Sequence, residues 1–178
     1  MCSRIEDVMT EKARTALLQV LGPLPWLAKG QGEVRPTDQI QLIRPGDGGH
    51  ELVSARWGFI PAGMGAAELR KYAMFNARAE TLTEGRAFGP AFQNQRCVVP
   101  MSAFYEWPVV DGKKWKTRLS RPDGLPLLVA GLWNRCEGSG GTVESCTLVT
   151  RPPTSDLLSV HDRMPALLSR DLETWFHG

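Results

Sequence analysis

Apolar and polar positions divide the chain into many short segments with two different periods. Val8, Ala13, Leu17, Val20 and Leu21 recur at helical spacing and predict a helix from about Glu6 to Leu21. Ser3 and Glu6 have the spacing of a capping box, and Gly22-Pro23 stops the run. Residues 22–38 are rich in Pro and Gly and read as loop. Gln39–Arg44 alternates polar and apolar, as a half-buried strand does. Pro45–His50 reads as a turn and Leu52–Ile60 as a strand ending at Pro61. A Gly-rich turn then leads to a short predicted helix near Ala66–Tyr72. A second predicted helix, Arg86–Gln95, is interrupted by Gly89-Pro90. Closely spaced strands are predicted at Cys97–Pro100, Phe104–Trp107, Trp115–Leu119, Pro126–Trp133 and Val143–Thr150. Asp111-Gly112 is a hairpin signal, and Glu137–Gly141 reads as loop. Ser169 is placed to cap a last helix over Arg170–Phe176. Many short strands with few helices predict an α+β fold, an antiparallel β-sheet or barrel with peripheral helices. At 178 residues, the chain reads as one compact domain, 1–178.

Composition narrows the function classes. A hydrophobic fraction of 42% excludes disorder over most of the length. No apolar run approaches the roughly 18 residues of a membrane span, and no secretory signal precedes the first helix. The expectation is a cytoplasmic protein, associated with the nucleoid when bound to DNA. The net charge of +2 hides an asymmetry. Residues 56–118 carry 10 Lys/Arg against 5 Asp/Glu, a net +5, which suits a polyanion-binding face. The four cysteines form no C-x-x-C pair and the three histidines no H-E-x-x-H, so no metal site and no cofactor are expected. Cys97 and Cys146 lie in apolar runs and read as small core residues.

Cys2 is different. Small residues at position 2 favour trimming of Met1, which would leave an α-amine and a thiol on adjacent carbons. Their ordinary pKa values, about 7.7–8.0 and about 8.5, allow both to act near neutral pH. Such a 1,2-aminothiol condenses with an aldehyde to a thiazolidine; it also suits an N-terminal nucleophile in amide hydrolysis. In Phe104-Tyr105-Glu106-Trp107, strand alternation puts Glu106 on the face of Phe104, where desolvation raises a carboxyl pKa and suits proton transfer. His161, in His161-Asp162-Arg163-Met164-Pro165, is a candidate for proton transfer near neutral pH. In Asn76-Ala77-Arg78-Ala79-Glu80, the amide of Asn76 is placed to orient a substrate and Arg78 to pair with an anion.

These segments occur in order with Met1-Cys2-Ser3-Arg4, Arg35-Pro36-Thr37, Arg56-Trp57-Gly58-Phe59-Ile60-Pro61, Arg96-Cys97-Val98-Val99-Pro100 and Ala130-Gly131-Leu132-Trp133. The ordered set resembles the SOS response-associated peptidase (SRAP) family of abasic-site-processing proteins. The resemblance implies a compact β-rich domain with a basic groove for single-stranded DNA. It implies catalytic positions at Cys2, Asn76, Glu106 and His161, with Cys2 trapping the ring-opened aldehyde of an abasic site as a thiazolidine crosslink. On this reading His161 protonates the sugar ring oxygen, Glu106 shuttles protons, and Asn76 holds the Cys2 backbone or the sugar. Arg78 is the leading phosphate contact, with Arg4 and Thr150 as weaker ones. Trp57, beside Gly58, and Pro36 are expected to wedge or stack against bases near the lesion. Cys2 and Glu106 would also cleave the Met1–Cys2 bond, and a Schiff base on the amine would open a route to β-elimination.

Three positions depart from the family pattern. Ser3 stands where Gly is usual, Gly63 where a second Trp commonly follows, and Arg35 where Ala is usual. The expected partner is single-stranded DNA carrying abasic sites, bound by a monomer, with no membrane and no metal. Two other readings stay open: a thiol peptidase or amidase using Cys2 with His161, and a non-catalytic single-strand-binding module built on the basic segment and Trp57.

Overall fold

A computed structural model of the chain describes residues 2–24, 30, 32–61, 63–64, 74–138, 141–169 and 172–178. The predicted helix at Ala66–Tyr72 lies outside the described residues, as do Arg170 and Asp171. The chain begins with a short strand, β1 (Ile5–Glu6), followed by helix α1 (Glu11–Leu21). The helix starts later than its periodicity suggested. Thr10, not Ser3, is the N-cap, its Oγ1 accepting from Ala13 N–H at 3.2 Å. Ile5 and Glu6 are instead drawn into sheet pairing. Next come β2 (Glu33–Val34), β3 (Gln39–Gly46), β4 (Gly49–Trp57) and β5 (Asn76–Arg78). Helix α2 (Gly89–Asn94) takes its proline in the first turn, where the missing N–H costs no intrahelical bond.

The remaining elements are β6 (Arg96–Met101), β7 (Ala103–Glu106), β8 (Val109–Val110), β9 (Lys113–Lys114), β10 (Thr117–Leu119), β11 (Leu127–Gly138), β12 (Gly141–Arg151), β13 (Met164–Pro165) and helix α3 (Glu173–His177). The acid- and glycine-rich stretch expected as a loop is largely strand, because β11 and β12 pair as far as Gly138↔Gly141. The last helix has Leu172, not Ser169, at its N-cap and no side-chain cap.

Pairings run β11–β6–β3–β4–β12 and return from β12 to β11, closing a five-strand barrel. Most pairs are antiparallel, but β12 meets both β4 and β5 in parallel register. β6 and the second half of β12 are buried on both faces and read as apolar runs, whereas Ile40 and Leu42 of β3 and Ala55 and Trp57 of β4 alternate with more exposed neighbours. Cys97, Val99, Leu42, Val129, Cys146 and Leu148 fill one apolar cluster. Their neighbours Val98 and Ile43 point the other way, against α1 and α3. Gly131 sits where β6, β11 and β12 crowd. A Cβ there would stand 2.9 Å from Cys97 Sγ and 3.0 Å from the Thr147 carbonyl oxygen. Cys97 and Cys146 are fully buried free thiols, the core residues expected.

A smaller sheet, ordered β10–β7–β1–β2, holds the N-terminal segment. One carboxylate ties three of its segments together. Glu6 accepts from Ser102 Oγ at 2.9 Å, from Tyr105 Oη at 2.6 Å, and from Arg118 through two nitrogens at 2.6 and 3.0 Å. The Arg118 pairing, with help from Tyr105 and Ser102 and against the effect of burial, holds the Glu6 carboxyl at about 2.

Because this folded value is depressed, the stabilisation is present above the ordinary carboxylate pKa and lost as pH falls from about 4.5 to about 2. Glu6→Gln is therefore expected to lower Tm at pH 7. Between pH 5 and pH 2, its Tm falls less steeply than the wild-type value in thermal melts.

Candidate active site

The antiparallel register of β1 on β7 brings the start of the chain to the end of β7. Ile5 pairs with Phe104, and Tyr105 N–H donates to the Arg4 carbonyl at 2.9 Å. Continued by two residues, this register sets Ser3 opposite Glu106, next to Cys2. Cys2 is 1% exposed and packs in the barrel's main apolar cluster. Its Sγ lies 3.9 Å from the Arg4 carbonyl oxygen. Asn76, the first residue of β5, donates from Nδ2 to the Cys2 carbonyl at 2.7 Å. β5 in turn is fixed by parallel pairing of Asn76 with Leu148 of β12. The strand edge of the barrel thus aims Asn76 at the backbone of Cys2.

Glu106 ends β7 and is buried on the same face as Phe104, as alternation predicts. Tyr105 and Trp107, on the other face, are half-buried. His161 follows a 3-10 turn at Ser155–Leu157, and its Nε2 lies 3.8 Å from Glu106 Oε2. On the other side of the ring, Nδ1 accepts from Arg163 N–H at 3.0 Å and lies 2.7 Å from Asp162 Oδ1. That nitrogen has a donor beside it for the neutral ring and a carboxylate for the protonated one. The four expected positions therefore meet at one place: Asn76 on Cys2, Glu106 beside Cys2, and His161 on Glu106.

Electrostatics set the resting protonation. Burial, reinforced by the Glu106 carboxylate, pushes the Cys2 thiol up to about 12, so it keeps its proton at neutral pH. Burial also raises the Glu106 carboxyl, with His161 pulling the other way. A raised carboxyl is a stronger proton acceptor when ionised, which fits a shuttle between two bases.

The structure corrects several expected nucleic-acid contacts. Trp57 is 0% exposed, donates Nε1–H to the Phe75 carbonyl at 2.8 Å, and meets the Phe75 ring edge-on at 6.2 Å. It is a core residue and presents no surface to a base. Gly58 is buried as well, with φ +150; a Cβ there would stand 2.3 Å from Arg56 Nη1, so this glycine serves a bend. Thr150 is 0% exposed, and its Oγ1 donates to the Ala77 carbonyl at 3.3 Å. It joins β5 to β12 and has no open face for a phosphate. Arg78 is exposed at the end of β5, and Pro36 is half-buried in the turn before β3. Arg4 is half-buried, paired with Glu33, and lies over the Trp107 ring at 5.7 Å.

Arg163 and Glu80, both in the matched motifs, had been given no role. Arg163 pairs bidentately with Glu80 at 2.7 and 3.0 Å and donates to the Thr150 carbonyl at 2.7 Å. It ties the His161 segment to β12 and to the turn after β5. The only signal for it in the sequence is its place two residues after His161.

Two substitutions test these placements. Trp57→Ala is expected to cost about 3–5 kcal/mol in urea unfolding, as loss of a buried indole does. Asn76→Asp sets a carboxylate against the Cys2 carbonyl and is expected to cost about 1–3 kcal/mol, more than Asn76→Ala.

The whole chain, residues 1–178, matches the family described as SOS response associated peptidase (SRAP). It is 35% identical over 142 residues to the abasic site processing protein YoaM of Bacillus subtilis, covering 79% of this chain and 62% of that protein. It is 28% identical over 173 residues to the abasic site processing protein YedK of Escherichia coli, covering 95% and 76%. The chain thus spans less than two thirds of YoaM's length. A crystal structure of a Bordetella bronchiseptica protein superposes with a TM-score of 0.82 at 27% identity, covering 98% of this chain and 88% of that one. A Bacteroides thetaiotaomicron structure shares the fold, with a TM-score of 0.86 at 21% identity. The matched family spans all four converging positions, and the chain belongs to the SOS response associated peptidase (SRAP) family.

Proposed function

We propose that this protein recognises abasic sites in single-stranded DNA, in the response to DNA damage, and captures them covalently through Cys2 once Met1 is removed. The observation that carries the reading is the convergence on Cys2 of Asn76, Glu106 and His161 from separate elements. The names of YoaM and YedK as abasic site processing proteins support the substrate class.

The chemistry follows from the protonation states. An abasic sugar is mostly a closed hemiacetal. His161 gives a proton to the ring oxygen as the C1′–O4′ bond breaks, and the C1′ hydroxyl loses its proton to yield the aldehyde. The Cys2 α-amine adds to C1′. Glu106 carries a proton from that nitrogen to the new hydroxyl, which leaves as water and forms an imine. The Cys2 thiol, still protonated because it is buried, then adds across the C=N bond: sulfur bonds to C1′ and the thiol proton passes to nitrogen. One water is released and no oxidant or reductant is needed. Asn76 keeps the Cys2 backbone in place while both of its nucleophiles act on one carbon. Arg78 contacts a phosphate on this reading, and Arg4 does so when Glu33 gives way. Cys2 and Glu106 also serve removal of Met1 by hydrolysis of the Met1–Cys2 bond, and the imine gives access to β-elimination. A thiol peptidase built on a thiolate–imidazolium pair is less well supported, because such sites lower the thiol pKa and here burial raises it.

Intact-mass spectrometry tests the reading. Met1-free protein incubated with single-stranded DNA carrying one abasic site is expected to give a one-to-one, denaturant-resistant adduct. Cys2→Ala gives none, and Glu106→Gln forms it roughly 100-fold or more slowly. Absence of any adduct with the Met1-free wild type overturns the proposal.

A further inference from the structure

The burial of Trp57 leaves the site without the aromatic platform expected of it, and an exposed one stands nearby. β8 and β9 form a two-stranded sheet with no third strand among the described residues. The turn between them, Asp111-Gly112, has φ of +51 and +73, the type I′ geometry that the sequence signalled. Val110 pairs with Lys113 and Val109 with Lys114. Trp115 N–H donates to the Pro108 carbonyl at 3.0 Å, which extends the ladder by one pair. Alternation then puts Trp115, Val110 and Lys113 on one face, with Val109 and Lys114 on the other.

This arm is unusually apolar for a surface. Val109, Val110 and Trp115 are 62%, 52% and 59% exposed, three of the seven exposed large apolar side chains among the described residues. It is also cationic. Lys113 and Lys114 are exposed, and neither has an ion-pair partner among the described residues, whereas Lys116 pairs with Glu33 and lies 4.5 Å from the Tyr105 ring centroid. An isolated hairpin is marginal in water, and this one holds an indole and two lysines open to solvent. The arm springs directly from the strand that carries Glu106. Pro108 is two residues further on, about 7 Å along an extended chain, or roughly two stacked nucleotides at about 3.4 Å each.

We propose that the β8–β9 hairpin is a single-stranded DNA arm: Trp115 stacks on a base flanking the lesion, while Lys113 and Lys114 contact the adjoining phosphates. The inference rests on the abasic-site reading for its ligand. Single-stranded nucleic acid is the occupant that the charge and the shape fit together, because bases stack on an indole whatever their identity and lysines follow the backbone.

The test pairs equilibrium binding with capture, using the whole chain. Anisotropy of a labelled, undamaged oligothymidine measures the first. Trp115→Ala is expected to weaken binding roughly 5- to 100-fold, and Trp115→Phe largely restores it. Lys113→Gln combined with Lys114→Gln lowers the slope of log affinity against log salt by about 1.4. With abasic single-stranded DNA, Trp115→Ala raises the half-saturating DNA concentration and leaves the capture rate at saturation unchanged. Melting temperatures equal to wild type exclude a folding defect. Wild-type capture together with unaltered binding by Trp115→Ala overturns the arm and leaves the abasic-site reading intact. A wild-type protein that neither binds nor captures removes both. A wild-type dimer made monomeric by Trp115→Ala also overturns the arm, because the patch would then serve self-association.

Discussion

The pairing of β1 with β7 is the constraint on which the site depends. Cys2 lies at the start of the chain, where residues fray unless they are tied down. Two residues of strand are a weak anchor by themselves. The anchor is made strong by Glu6, which gathers Ser102, Tyr105 and Arg118 around one carboxylate. Ile5, fully buried, fills the core beneath it. With that segment held, the register brings Cys2 beside Glu106, and Asn76 reaches the Cys2 carbonyl from the barrel edge. A reacting group on a chain end is thus given the positional precision usually found in the middle of a strand.

The same arrangement explains how a buried thiol can suit the proposed chemistry. A thiolate nucleophile needs a lowered pKa and a cationic neighbour. The Cys2 thiol is raised instead, because it lies in an apolar cluster beside a carboxylate. An aminothiol closing on an aldehyde has a different requirement. The amine attacks first, and the thiol delivers both its sulfur and its proton in the second step. Burial holds that proton in reserve. Glu106, with its carboxyl raised by the same burial and close to His161, is suited to move protons between the two steps.

Charge on the surrounding surface is largely spoken for. Arg4 and Lys116 share Glu33, Arg118 is held by Glu6, and Arg163 by Glu80. The basic excess of residues 56–118 therefore overstates the cation available to a polyanion. Among the described residues of that segment, the exposed cations with no ion-pair partner are Arg78 at the end of β5, Arg86 and the two lysines of the β8–β9 arm. An exposed ion pair is worth little in water, so a phosphate can compete for an arginine that a carboxylate now holds.

Several features were legible in the sequence because they depend on neighbours along the chain. The Asp111-Gly112 turn, the sharing of one buried face by Phe104 and Glu106, the stop at Gly22-Pro23 and the aminothiol potential of Cys2 are all local properties. The β-rich α+β class also followed from the spacing of short strands. Helical spacing before Leu21 could not reveal that Ile5 and Glu6 are claimed by β7 and β2, because that competition involves residues about 30 and 100 positions away. Thr150 read as a surface contact because its stretch of β12 is buried on both faces and has no polar side to mark its orientation. Trp57 read so although it shares the buried face of β4 with Ala55, opposite Ser54 and Arg56; that alternation marks it as a core residue. The residue types for the site were written in the chain, but their meeting was not. Asn76 bonds Cys2 across 74 positions, and His161 reaches Glu106 only because β7 and the segment before β13 end at the same place. Sequence alone determined which chemistry Cys2 can perform. Only the tertiary structure decided which groups stand within reach of it, because burial and contact are set by the closure of distant strands rather than by order along the chain.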